Sequence, residues 1–165
     1  MKLYRIISAF LLVSCMTFIF VLSSQNAEES SSISGSTIEF LLNMFYPNFK
    51  ELSQQRAEEL ISGFQFFARK CAHLTIYAVL GITAMLNALS INKIKLIYRS
   101  IISFIFCVVY AISDEIHQMF VTGRSGEVRD VLIDSCGSLI GVVFLTVIAW
   151  VFINKKHLNQ NKKEY

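Results

Sequence analysis

Three stretches of the chain, residues 6–22, 74–91 and 131–153, run apolar for 17, 18 and 23 residues and hold one charged side chain between them, Asp134. A hydrocarbon core roughly 30 Å thick asks for about 20 such residues in a helix. No water is available there to the backbone, so each run must satisfy its own N–H and C=O groups, which selects a helical bundle. Composition agrees: 54% of the 165 residues are hydrophobic and 16% charged, too apolar for an ordinary soluble domain.

A fourth run, residues 101–112, has 12 residues and would make roughly 18 Å of helix, too short to cross unaided. Extension through Ser113 to Phe120 supplies the length and places Asp114, Glu115, His117 and Gln118 at or inside one membrane boundary. The expected fold is therefore an all-α integral membrane bundle in a single domain over 1–165. Its four transmembrane helices are expected near 5–23, 70–91, 100–120 and 131–153.

Lysine and arginine accumulate on the cytoplasmic side of short loops. The N-terminus (Lys2, Arg5), the 92–99 loop (Lys93, Lys95, Arg99) and the tail (Lys155, Lys156, Lys162, Lys163) hold nine of the 15 basic residues. Residues 23–72 carry four basic and six acidic side chains, a net charge of −2. Both termini are thus expected in the cytoplasm, with the 24–69 loop and the stretch DEIHQMFVTGRSGEVRD outside. The net charge of +3 follows from this topology and implies no nucleic-acid partner. The first helix has the basic start of a signal peptide, but its apolar core is long and LSSQNAEES offers no A-x-A site, so a retained helix is the favoured reading.

The long loop opens on the Ser-rich SSQNAEESSSISGS, which reads as a mobile linker. Ser36 and Glu39 have capping-box spacing, and Ile38, Leu41, Leu42 and Phe45 then recur at helical intervals up to Pro47. A second segment, 53–67, places Leu60, Ile61, Phe64 and Phe67 on one side. Both suit short amphipathic helices on the outer leaflet or capping the bundle. The four cysteines fall singly in or beside different apolar segments without C-x-x-C spacing, which suits buried reduced thiols.

At 100° per residue each later helix carries one polar stripe. The stripes are Lys70, His73, Tyr77 and Gly81; Ser103, Cys107, Tyr110, Asp114, His117 and Gln118; and Asp130, Asp134, Gly137 and Gly141. A charge facing lipid costs at least ~2.5 kcal/mol, so the stripes should turn toward one another. Lys70, His73, Asp114, Glu115, His117, Asp130 and Asp134 are then expected in one pocket with Arg124 and Arg129 at its mouth, Glu115 meeting one of these arginines. Each has a plainer reading. Lys70 and the arginines can anchor at the interface, either histidine can make one interhelical hydrogen bond, and the glycines can serve packing alone. Asp114 and Asp134 lie deeper and are harder to explain without a functional partner.

The pattern K-x-x-H-x-x-x-Y (Lys70, His73, Tyr77), D-E-x-H-Q (Asp114, Glu115, His117, Gln118), G-R (Gly123, Arg124) and D-x-x-x-D-x-x-G-x-x-x-G (Asp130, Asp134, Gly137, Gly141) resembles the VanZ-like family. The chain departs from that pattern at Leu74, where relatives often carry Phe, and at Asp134, where they often carry Asn. The resemblance implies a small multi-pass protein of the cell membrane, and its namesake is associated with low-level teicoplanin resistance.

Two functions are expected to compete. In the first, a non-enzymatic envelope protein binds an anionic lipid, cell-wall precursor or glycopeptide-related group through Lys70, Arg124 and Arg129. The acids orient these cations and the histidines complete the hydrogen bonds, with Tyr77 and Gln118 in the same ligand-binding set. In the second, a membrane-embedded hydrolase or transferase acts on a lipid-linked substrate with His73 or His117 as base or nucleophile beside Asp114. The phosphatase pattern K-x6-R-P and the HExxH of metalloproteases are both absent from the sequence. His73, His117, Asp114 and Glu115 would allow a metal site, but no spacing requires one, so no cofactor is expected.

Overall fold

A computed structural model describes the backbone of residues 2–25, 27–91 and 94–161, and the side chains of all of these except 27–34, 50 and 156–161. It contains helices α1 (Lys2–Ser23), α2 (Ala27–Phe45), α3 (Gln54–Leu89), α4 (Leu96–Gln118) and α5 (Val128–Asn161), with a 3-10 turn at Phe49–Glu51 between α2 and α3. No strand occurs among the described residues. Helices α1, α3, α4 and α5 are each long and apolar enough to cross a membrane.

Two expectations about the long loop are overturned. The Ser-rich stretch is not a linker throughout, because α2 begins at Ala27 and Ser36 lies inside it, so the capping-box spacing marks no helix start. That helix runs without a break from Ala27 to Phe45. Pro47 does end it, since a proline pushes the residue before it out of the helical region. Second, the 53–67 segment is no separate short helix: it runs without a break into the following span as the 36-residue α3, about 54 Å long. Nothing between 67 and 70 breaks a helix, and the change there is one of polarity alone.

The fourth run gains length at both ends. α4 starts at Leu96 and stops at Gln118, leaving Met119 and Phe120 in the turn. Asp114 and Glu115 consequently sit in its last turns, both buried.

Lipid tails are as apolar as leucine, so close packing must bring the helices together. α3 packs most extensively on α5. A Cβ at Gly137 would overlap the carbonyl of Leu74, one at Gly141 that of Ala78, and one at Gly81 that of Ser138. The small residues therefore interlock reciprocally, two on α5 against one on α3. Tyr77, Leu80, Met85, Cys107 and Val142 are buried around this seam. α1 closes another side of α3: Tyr4 donates to the Leu86 carbonyl at 2.9 Å, Arg5 to the Ser90 carbonyl at 3.2 Å, and Tyr110 of α4 to the Met16 carbonyl at 2.7 Å. All four cysteines are free, but only Cys107 is buried; Cys71 and Cys136 are exposed on the outside of the bundle.

Candidate functional site

At the end of the bundle nearest the α4–α5 loop, a pocket of about 330 Å³ lies between α1, α3 and α4. Asp114 and Tyr77 line it beside the α1 residue Ser23, and Ile19, Leu22, Ala68, Ala72 and Ile76 supply apolar wall. Arg69, His73 and Gln65 enter from α3, Gln25 from the end of α1, and Arg124 from the loop. Gln65, Arg69 and His73 are four residues apart in turn, so they stand above one another on one helix face.

Asp114 is held by three donors. Ser23 Oγ donates to its Oδ2 at 2.8 Å, Tyr77 OH at 3.1 Å and Gln118 Nε2 at 3.3 Å. They come from three helices, which explains how a carboxylate that is 4% exposed is tolerated so deep in the fold.

The loop arginine is placed by its turn. Gly123 has φ of 76°, a left-handed conformation without penalty for glycine, and the chain reverses there so that Arg124 Nη2 donates to the Leu22 carbonyl of α1 at 3.4 Å. The buried Arg124 Nε has no acceptor. Burial lowers the Arg124 pKa below its ordinary value, and the positive charge of Arg69 lowers it further, against a partial offset from Asp114 and Glu115. Among the described residues neither guanidinium forms an ion pair.

The anticipated single cluster is in fact three. Lys70 points away from the pocket, pairs with Asp130, lies 3.9 Å from Glu127 and rests over the Phe66 ring at 5.0 Å. Arg129 is exposed and also covers Phe66, at 5.7 Å, so it does not form the mouth. His117 lies toward α1, stacked on Phe20 with centroids 4.5 Å apart and 3.1 Å from Ser24 Oγ, and it does not line the pocket. Glu115 pairs with neither arginine: its Oε2 accepts the Glu127 backbone N–H at 2.9 Å, which ties the loop to the end of α4. The short turn brings the Glu127 N–H to this carboxylate, whose buried Oε1 has no hydrogen-bond partner. His73 reaches back from the pocket to Asp134, Nδ1 to Oδ1 at 3.2 Å, with Asp134 wholly buried.

Arg69 is the main omission from the sequence-derived set. It is adjacent to Lys70, about 100° around the helix, so periodicity could not decide which cation faced inward. Arg69 lies four residues before His73 and Lys70 three, and both spacings share a helix face, so no sequence signal separates the two cations. Among the described residues no group of three or more His, Cys, Asp or Glu side chains is placed to hold a metal.

Four membrane-length helices with polar side chains turned inward at one end define a multi-pass helical membrane protein with a cation-rimmed pocket. The family description VanZ/LLP1 matches residues 8–151, most of the chain, and the protein belongs to that family. No curated protein and no solved structure matches it.

Proposed function

We propose that this VanZ/LLP1 protein resides in the cell membrane as a single domain, termini in the cytoplasm, and binds an anionic group in the pocket on its extracytoplasmic side. The lysine and arginine asymmetry supports that orientation. The candidate groups are a lipid phosphate and a carboxylate of a cell-wall precursor or glycopeptide. Low-level tolerance of glycopeptides such as teicoplanin is the accompanying phenotype.

One observation carries the reading: Arg69 and Arg124 line the same pocket without an ion pair, and Arg124 keeps a buried N–H without an acceptor. Two cations held together in a low-dielectric site repel until an anion lies between them, and the planar guanidinium fork suits phosphate and carboxylate oxygens. His73, Tyr77 and Asp114 then fix the ligand's orientation. Lys70, Arg129 and His117 drop out of the binding set, because each is engaged elsewhere.

Native mass spectrometry of protein extracted in mild detergent tests the proposal. An anionic lipid or precursor should stay bound to the wild type and be lost from Arg69→Ala and from Arg124→Ala, with melting temperatures unchanged. A ligand that persists equally in both variants would refute it.

A further inference from the structure

The two arginines account for an anion but not for the pair behind them. His73 lines the pocket one turn along α3 from Arg69, and its Nδ1 lies 3.2 Å from a carboxylate, Asp134, that has no exposed surface. A carboxylate beside Nδ1 holds the ring proton there and leaves the lone pair on Nε2, at the opposite edge of the ring. Among the described residues no hydrogen bond engages that second nitrogen. The pairing ties α3 to α5 and also orients the ring, leaving a free lone pair on the second nitrogen.

The remainder of the pocket indicates what such a base would act on. Ile19, Leu22, Ala68, Ala72 and Ile76 supply apolar wall to the pocket, Leu22 and Ala72 among them exposed at the surface of α1 and α3. Along α3, Arg69 precedes Ile76 by seven residues, about 10 Å of rise, so Arg69 lies nearer the ends of α1 and α4 and Ile76 lies deeper, beside Tyr77 and Asp114. An amphiphile lying as the leaflet's own lipids lie, with its head at the arginines and its chain along the α1–α3 seam, fits that order.

We infer that His73 is a catalytic base for hydrolytic removal of the terminal phosphoryl group of a phosphate or diphosphate carried by a membrane amphiphile, with Asp134 as its positioning residue. The inference rests on the proposed anion-binding role of Arg69 and Arg124. In the reaction Nε2 removes a proton from water as the water oxygen forms a bond to phosphorus. The bond from phosphorus to the leaving oxygen breaks, its electron pair goes to that oxygen, and the imidazolium returns the proton there. Water is the one co-reactant, and nothing is oxidised or reduced. The guanidinium groups stabilise the charge that spreads over the phosphoryl oxygens in the transition state.

The test uses the full chain in detergent micelles with dodecyl phosphate and dodecyl diphosphate as amphiphilic probes and phenyl phosphate as a soluble one. Inorganic phosphate should be released from a dodecyl probe at least about tenfold faster than from phenyl phosphate. His73→Gln should reduce release by about a hundredfold or more while the variant still retains dodecyl phosphate in native mass spectra. Asp134→Asn should lower kcat by tenfold or more without changing KM, and it carries the test alone if His73→Gln fails to accumulate. Equal release by wild type and either variant overturns the inference. Retention of dodecyl phosphate without release from any probe also overturns it but leaves the binding proposal standing, whereas neither retention nor release removes both. Equal rates on phenyl phosphate overturn the assignment to an amphiphile.

Discussion

Gly141 lies against the carbonyl oxygen of Ala78 with no space for a side-chain carbon between them. Substitution there tests the α3–α5 seam directly. Gly141→Ala should cost about 1–3 kcal/mol, as overpacked cores do, and Gly141→Leu should prevent accumulation. Membrane abundance and thermal unfolding in detergent measure both. Loss of ligand in Gly141→Leu should track loss of protein, in contrast to Arg69→Ala.

Asp114 is the shared acceptor of Ser23, Tyr77 and Gln118. Removing it leaves buried donors unsatisfied, at about 1–3 kcal/mol for each. Asp114→Ala should therefore melt well below the wild type, and Ser23→Ala, which removes one donor of the three, should cost about 1 kcal/mol. Melting curves in one detergent decide this. An Asp114→Ala variant as stable as the wild type would mean that the three hydrogen bonds hold nothing together.

Lys70 and Asp130 form a pair across α3 and α5, outside the pocket. Lys70→Asp should lower abundance several-fold by opposing two carboxylates, and the double exchange Lys70→Asp with Asp130→Lys should recover most of it. Lys70→Ala should keep the anionic ligand that Arg69→Ala loses. Loss of ligand in Lys70→Ala would return Lys70 to the binding set.

Orientation is tested by labelling introduced cysteines in intact cells, in a background lacking Cys71 and Cys136. Ser125→Cys in the α4–α5 loop should react with an impermeant thiol reagent, and Lys95→Cys at the start of α4 should react only after permeabilisation. The positive-inside distribution requires this result, and the reverse pattern would place the pocket in the cytoplasm.

The spans were legible in the sequence because the bilayer imposes a length on apolar runs, and the Gly137 and Gly141 face was legible because only small residues permit that approach. Two features were not. α3 shows a change of polarity near residue 70 but no stop signal, and hydropathy cannot distinguish a helix that ends from one that leaves the membrane. The pocket's cations could not be assigned because Arg69 and Lys70 are neighbours in sequence. The rotation of α3 about its axis, set by its packing on α5, selects Arg69 for the pocket and gives Lys70 to Asp130. His117 went astray similarly: its stripe faces inward, but the inward neighbour at that height is Phe20 of α1.

The length of α3 has a mechanical meaning. Its 36 residues exceed what a bilayer core needs by about 16, so roughly four turns extend past the hydrocarbon as a rigid lever. α2 packs on the same helix. A force applied to that arm would not be absorbed by a flexible joint before reaching Arg69 and His73. It would arrive as a tilt of the whole rod about the glycine contacts with α5, changing the separation between the guanidinium carried on the lever and the one carried on the loop.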